Sequence, residues 1–133
     1  ETIDASIDIF DDVLRFLERS IAIATEAGVA RGQIVVDPGI GFGKTVRQNL
    51  ELIRDLDRLA VLGCPILLGA SRKSTLGRIT GREVPAERLA ASIAAHLYGA
   101  SRGAAIIRAH DVTPHIDALK TWAAIEDSMK ADL

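Results

Sequence analysis

Apolar residues recur at steps of three and four from the start of the chain. Ile3, Ile7, Phe10, Val13, Leu14, Leu17, Ile21 and Ala24 make one stripe, which predicts an amphipathic helix ending near Gly28. The pattern then changes. Gln33-Ile34-Val35-Val36 is a short, mainly apolar run that predicts a buried strand delivering Asp37 at its C-terminal end. From Val46 to Leu62 the helical spacing returns, with Leu50, Ile53, Leu56 and Leu59 on one side and Gly63 as the stop. A second strand, Pro65-Ile66-Leu67-Leu68, leads into Gly69-Ala70-Ser71-Arg72-Lys73-Ser74. A short helical turn and a Gly-Arg break follow, and then a helix from Pro85 to about Tyr98, with proline at a favourable first-turn position. The third strand, Ala104-Ala105-Ile106-Ile107, delivers Arg108. A last helix starts near Pro114 and carries Ile116, Leu119, Trp122 and Ile125.

One helix followed by three strand-helix units, with strands apolar throughout rather than alternating, predicts an α/β fold of parallel strands covered by helices. No tandem repeat, low-complexity tract or linker interrupts the order, so residues 1–133 are expected to form one unit. Chemistry in such folds sits on the loops that follow the strands. Here those loops read DPGIGFGK, GASRKS and RAHDV, and each carries charge. Their opening onto one edge predicts a single site with Asp37, Lys44, Arg72, Lys73, Arg108, His110 and Asp111 as its candidates.

The first loop imitates a nucleotide-binding loop without being one. DPGIGFGKT ends in Gly-Lys-Thr, but Pro38 stands where the Walker pattern requires its first glycine. Proline donates no N-H and fixes its own φ, so the usual amide cradle cannot form. The dinucleotide fingerprint also fails, because Lys44 occupies the position of its third glycine.

Composition narrows the field further. With 48% apolar and 26% charged residues, the chain is an ordinary globular sequence rather than a disordered one. A formal charge of -2 and an isoelectric point near 5.9 leave no basic footprint for nucleic acid. No long apolar run predicts a membrane span, and no apolar leader predicts export. Cys64 cannot form an internal disulfide, fits a reducing cytoplasm, and reads as a buried structural thiol. The chain opens on Glu1, already in helical pattern, which predicts a piece of a longer protein.

The candidate residues divide into one strand-end acid and a cluster of cations. A carboxylate at Asp37 suits a flat, amidine-like donor edge, because two oxygens accept two parallel N-H bonds. Arg108, His110 and Lys73 could receive an anion, arginine supplying a fork that matches phosphate oxygens. Ser74 opens a helix, whose free amides could hold a second, smaller anion. The set outlines a site for a phosphorylated heteroaromatic beside a carboxylate-bearing partner. A hydrolytic site is not expected, since there is no Gly-x-Ser-x-Gly elbow and the three histidines lack metal-ligand spacing.

DPGIGFGKT, GASRKS and RAHDV, in this order and at these intervals, resemble the C-terminal half of the dihydropteroate synthases, a family of pterin-binding enzymes targeted by sulfonamides. The resemblance runs over essentially the whole chain, and Ala109 departs from it where valine is common. It implies the C-terminal half of a (βα)8 TIM barrel. It also implies joining of p-aminobenzoate to hydroxymethyl-dihydropterin diphosphate with release of diphosphate, in folate biosynthesis, with Mg2+ on the diphosphate. By motif, Asp37 resembles the carboxylate that pairs with the pterin's amino-pyrimidine edge, and Lys73 the lysine that hydrogen-bonds the pterin ring. Arg108 is similar to the arginine beside the ring and diphosphate, and His110 to a diphosphate ligand. Phe42 and Ser74 are similar to groups lining the p-aminobenzoate pocket, while Gly69 and Arg72 flank them in the substrate-binding set. Lys73, Arg108 and His110 are the residues expected to act in catalysis, with no metal ligand among the residues of this chain.

The family's N-terminal motifs, including the Asn-containing loop that helps hold metal, do not occur here. Three strands cannot close an eight-stranded barrel. Bare sheet edges are then expected to favour a homodimer or a domain-swapped assembly, with small-molecule substrates and neither nucleic acid nor membrane as partners. A pterin domain of a corrinoid-linked methyltransferase and a non-catalytic half-barrel module remain as alternatives. Among the remaining residues, His96 is expected to be a packing or rim residue rather than a ligand, His115 to be solvated at a helix start, Trp122 to pack on its helix, and Asp111 to cap the last helix rather than orient cations.

Overall fold

The computed structural model describes residues 6 and 8–128. The first helix, α1, spans Ile9–Glu26, with the Asp8 side chain accepting from Phe10 N at its start and Asp11 and Asp12 in its first turn. Both features suit the positive end of a helix. Ile9, Phe10, Val13, Leu17 and Ile21 are buried, so the apolar stripe is the face turned to the core; Ile3 and Ile7 of that stripe lie outside the described residues.

The expected strand at residues 33–36 is corrected to less. Gln33 belongs to a 3₁₀ turn, Arg31–Gln33, and only Val36 pairs, by a parallel bridge to Ile66. That bridge rests on Val36 N-H donating to the Pro65 carbonyl and Leu67 N-H donating to the Val36 carbonyl. Val35 is 44% exposed, and among the described residues no further strand lies beyond it to extend the pairing.

The next helix is also shorter than its periodicity predicts. α2 spans Val46–Arg54, opened by a capping box between Thr45 and Gln48, and it stops at Asp55. From Leu56 to Leu62 the chain continues as a 3₁₀ helix, which places residues three apart on one line. Leu56, Leu59 and Leu62 sit at that spacing and all three are buried, so burial favours the tighter winding.

Two parallel strands follow, β1 at Ile66–Leu68 and β2 at Ala104–Ile107, in the register Ile66 to Ala104 and Leu68 to Ile107. Between them lie α3, Ser74–Thr80, and α4, Leu89–Ser101; Pro85 opens a separate 3₁₀ turn, Pro85–Glu87, rather than α4 itself. The last helix, α5, spans Val112–Glu126 and begins two residues before Pro114. A third-position proline is tolerated because the first turn's N-H groups have no intrahelical partner. The order across the sheet is therefore Val36, β1, β2, with helices between, and every strand end points its following loop to one edge. α4 lies directly on β1: a Cβ on Gly99 would overlap the Leu68 side chain.

Candidate active site

The glycine loop is held from within. Gly39, Gly41 and Gly43 all have positive φ, which lets three reversals fit in one short segment. The Lys44 ammonium folds back over them, 2.6 Å from the Gly39 carbonyl and 3.1 Å from that of Phe42. Burial lowers the Lys44 pKa, opposed by the carboxylates of Asp12 and Asp37. This lysine braces its own loop rather than reaching over a phosphate. From outside, Asn49 on α2 accepts from Gly41 N-H at 2.9 Å and donates to Thr75 Oγ1 at 2.9 Å, tying the loop to the start of α3.

Asp37 uses both carboxylate oxygens. Oδ1 accepts from Gly39 N-H at 2.8 Å, and Oδ2 lies 3.2 Å from Nη2 of Arg108. Gly69, at the end of β1, makes room for that guanidinium: a Cβ there would stand 2.5 Å from Nη2 and 2.9 Å from Cζ. Thus the strand-end acid of the first unit and the strand-end cation of the third meet across the middle strand.

The loop after β1 is strained and firmly held. Arg72 adopts φ 59, uncommon for a side-chain-bearing residue. Its N-H donates to Ser92 Oγ at 2.9 Å, and its carbonyl accepts from Arg88 Nη1 at 2.8 Å, so α4 grips both sides of the peptide. Its guanidinium reaches Asp111 at 3.1 Å. Asp111 does occupy the N-cap position of α5, but its carboxylate makes no capping bond and orients Arg72 instead, the reverse of the expectation. Two residues earlier in this loop, Ala70 N-H donates to His96 Nε2 at 2.9 Å.

Ser71, Lys73, Arg108 and His110 gather around a cleft of about 190 Å³ floored by Gly69 and Ala109. Ser71 Oγ lies 2.7 Å from His110 Nδ1 and accepts from His110 N-H at 3.1 Å. The Lys73 ammonium sits 4.5 Å above the Phe42 ring, and Phe42 itself is 66% exposed. Ser74 is exposed in the first turn of α3, outside the cleft lining. The arrangement therefore offers an acceptor carboxylate and a group of cations and donors within one surface depression.

Sequence reasoning missed Asn49, Ser71, Ser92 and the pair His96 and His115. His115 was expected at the surface, yet it is 4% exposed. Its Nε2 lies 2.8 Å from His96 Nδ1. The recoverable signal was Ser92 and His96, four apart on one helix face, where both serve as acceptors for amides of the preceding loop. Among the described residues no group of three or more His, Cys, Asp or Glu could hold a metal ion, and Asp37 and Asp111 are already engaged by arginines.

A family profile described as pterin binding enzyme matches residues 2–110. The chain belongs to that family. Dihydropteroate synthase of Neisseria meningitidis serogroup B is 46% identical over 121 residues, covering 89% of this chain and 42% of the relative. The solved dihydropteroate synthase of Xanthomonas albilineans with 4-aminobenzoic acid matches at 44% identity and a TM-score of 0.90, over 94% of this chain and 47% of that one. The same enzyme in complex with 7,8-dihydropteroate matches at 43% and 0.89, over 95% and 48%. This pterin binding enzyme chain thus spans less than half the length of the relatives it matches. Its α/β fold with parallel strands is that of part of their barrel, as expected. No helix among its described residues is long and apolar enough to cross a membrane.

Proposed function

We propose that this chain is the C-terminal half-barrel of a dihydropteroate synthase, supplying the pterin and diphosphate contacts of the active site. In the reaction, the C-O bond between the pterin methylene and the diphosphate breaks, and the p-aminobenzoate nitrogen bonds to that carbon and loses a proton. Asp37 would accept the N-H groups of the amino-pyrimidine edge, and Lys73 would hydrogen-bond the ring. Arg108, His110 and Ser71 would surround the departing diphosphate, where fixed donors stabilise the developing charge. Phe42, exposed and capped by Lys73, would border the p-aminobenzoate side, with Arg72 and Ser74 at its edge.

The single observation that carries this reading is the approach of Arg108 to Asp37 at 3.2 Å. It brings an acceptor for an amidine-like edge and a fork for phosphate oxygens to one point. Among the described residues the acids do not form a site for the Mg2+ expected from the resemblance, so that ion would bind the diphosphate and residues of the relatives' N-terminal half. The steps carried by this chain's residues do not involve it. Association is also expected, as a homodimer or a swapped assembly, because Val35, next to the bridging Val36, and Ile106 on β2 are exposed apolar residues. A cytoplasmic setting fits a substrate pair of small charged metabolites.

The test is to combine the chain with the N-terminal half of the Neisseria meningitidis relative and supply both substrates. Dihydropteroate and diphosphate should appear in equal amounts, and more slowly at limiting pterin substrate with Asp37→Asn. Product formation that ignores Asp37 and Arg108, or none from an assembled barrel, refutes the reading.

A further inference from the structure

Three hydrogen bonds run in series from the loop after β1 to the loop after β2, through two buried imidazoles. Ala70 N-H donates to His96 Nε2 at 2.9 Å, His96 Nδ1 lies 2.8 Å from His115 Nε2, and His115 Nδ1 lies 2.7 Å from the Asp111 carbonyl oxygen. His96 is 1% exposed.

The two ends settle the tautomers. A backbone N-H only donates, so His96 Nε2 is bare and its proton sits on Nδ1. A backbone carbonyl only accepts, so His115 carries its proton on Nδ1 and presents a bare Nε2. The middle bond then has one donor and one acceptor, and the series closes with both rings neutral. An added proton finds no acceptor: on His96 Nε2 it would face the Ala70 N-H, and on His115 Nε2 the His96 Nδ1-H.

Several charges on the surrounding elements are engaged elsewhere. Arg72 of the loop after β1 is paired with Asp111 of the loop after β2, Arg54 of α2 with Asp55, and Arg88 at the start of α4 with the carbonyls of Arg72, Arg82 and Glu83. Among the described residues, no carboxylate makes an ion pair with either ring.

We propose that His96 and His115 are positioning residues: a neutral relay couples the two loops that border the cleft, and its protonation uncouples them. The relay's ends lie one residue from Ser71 and from His110, which bond each other directly. It therefore sets the spacing of the donors that would receive the diphosphate. That last consequence rests on the function proposed above; the coupling itself does not. Burial first, and the His115 charge second, lower the His96 pKa to about 4, in keeping with a ring that stays neutral in its seat.

NMR of the 15N-labelled chain tests this. At neutral pH both rings should show the Nδ1-H tautomer. On acidification towards about 4, the Ala70 and Asp111 amide signals should move in one step, while those of α1 stay in place. His96→Gln puts a non-titrating carboxamide oxygen where Nε2 stood and should keep Ala70 held and flatten the step. An Nε2-H tautomer in either ring, the same step in the Gln variant, or α1 moving with the loops overturns the coupling. Inorganic diphosphate, titrated in parallel and followed by 31P signals, should bind roughly tenfold more weakly past the step in the parent but not in His96→Gln. Binding that is unaffected by the step removes the positioning role. A parent that binds no diphosphate at any pH removes that role and the anion site together, and the ring tautomers still decide the coupling.

Discussion

Nη2 of Arg108 rests 3.2 Å from Oδ2 of Asp37, with both side chains partly open to solvent. A pair so exposed contributes no more than about 1 kcal/mol, so an incoming amidine-like edge can take over the carboxylate at little cost. On the function proposed, the guanidinium would then be free for the diphosphate end of the same molecule.

Asp37→Asn exchanges one acceptor oxygen for a donor facing a donor edge. In the assembled barrel, calorimetry with a pterin ligand should show a loss of about 1 to 3 kcal/mol, with the fold unchanged by circular dichroism. An unaltered pterin affinity removes Asp37 from the site.

Arg108→Lys keeps the charge and loses the fork. Diphosphate should bind the variant more weakly, and p-aminobenzoate should weaken only as a consequence, because the two parallel N-H bonds of a guanidinium have no counterpart in an ammonium. Titrating each ligand separately distinguishes the two; loss of p-aminobenzoate alone would mean that the loop serves the other substrate.

Gly69→Ala tests whether the arginine needs that opening. The new Cβ would stand 2.5 Å from Nη2, which is the far end of a flexible side chain, so the guanidinium swings away and the backbone stays. Denaturant midpoints should change little while diphosphate affinity falls as in Arg108→Lys. Gly99→Ala should behave oppositely. Its Cβ overlaps the buried Leu68 side chain between α4 and β1, and overpacking of this kind costs about 1 to 3 kcal/mol. A urea titration reads that loss directly.

What was legible in the chain was local. Apolar runs ending before Gly69 and Arg108 announced strands and the loops that follow them, whereas the run before Asp37 pairs only at Val36. Asp55 broke a helix whose spacing continued past it, since Leu56, Leu59 and Leu62 fit a three-residue winding as well as a helical one. His115 looked like a surface residue beside Pro114 because its partner is 19 residues away on another helix. Asp111 was misjudged for the same reason: a cap bond is local, whereas Arg72 reaches it only once two loops are neighbours.

Acid stability should report on His96. Its pKa is about 4 in the folded chain against 6.5 unfolded, so between those values the unfolded chain binds more protons. Stability from this group is complete above 6.5, declines as the pH falls towards about 4, and changes no further below that. The full difference is up to about 3 kcal/mol, at 1.36 kcal/mol per unit, and less where the loops open locally before the whole chain unfolds. Urea midpoints at a series of pH values give the slope. His96→Gln cannot be protonated, so its stability should be nearly flat over the same window, apart from the carboxylates it shares with the parent. A parent that loses no stability between pH 6.5 and about 4 would mean that His96 accepts a proton without leaving its seat.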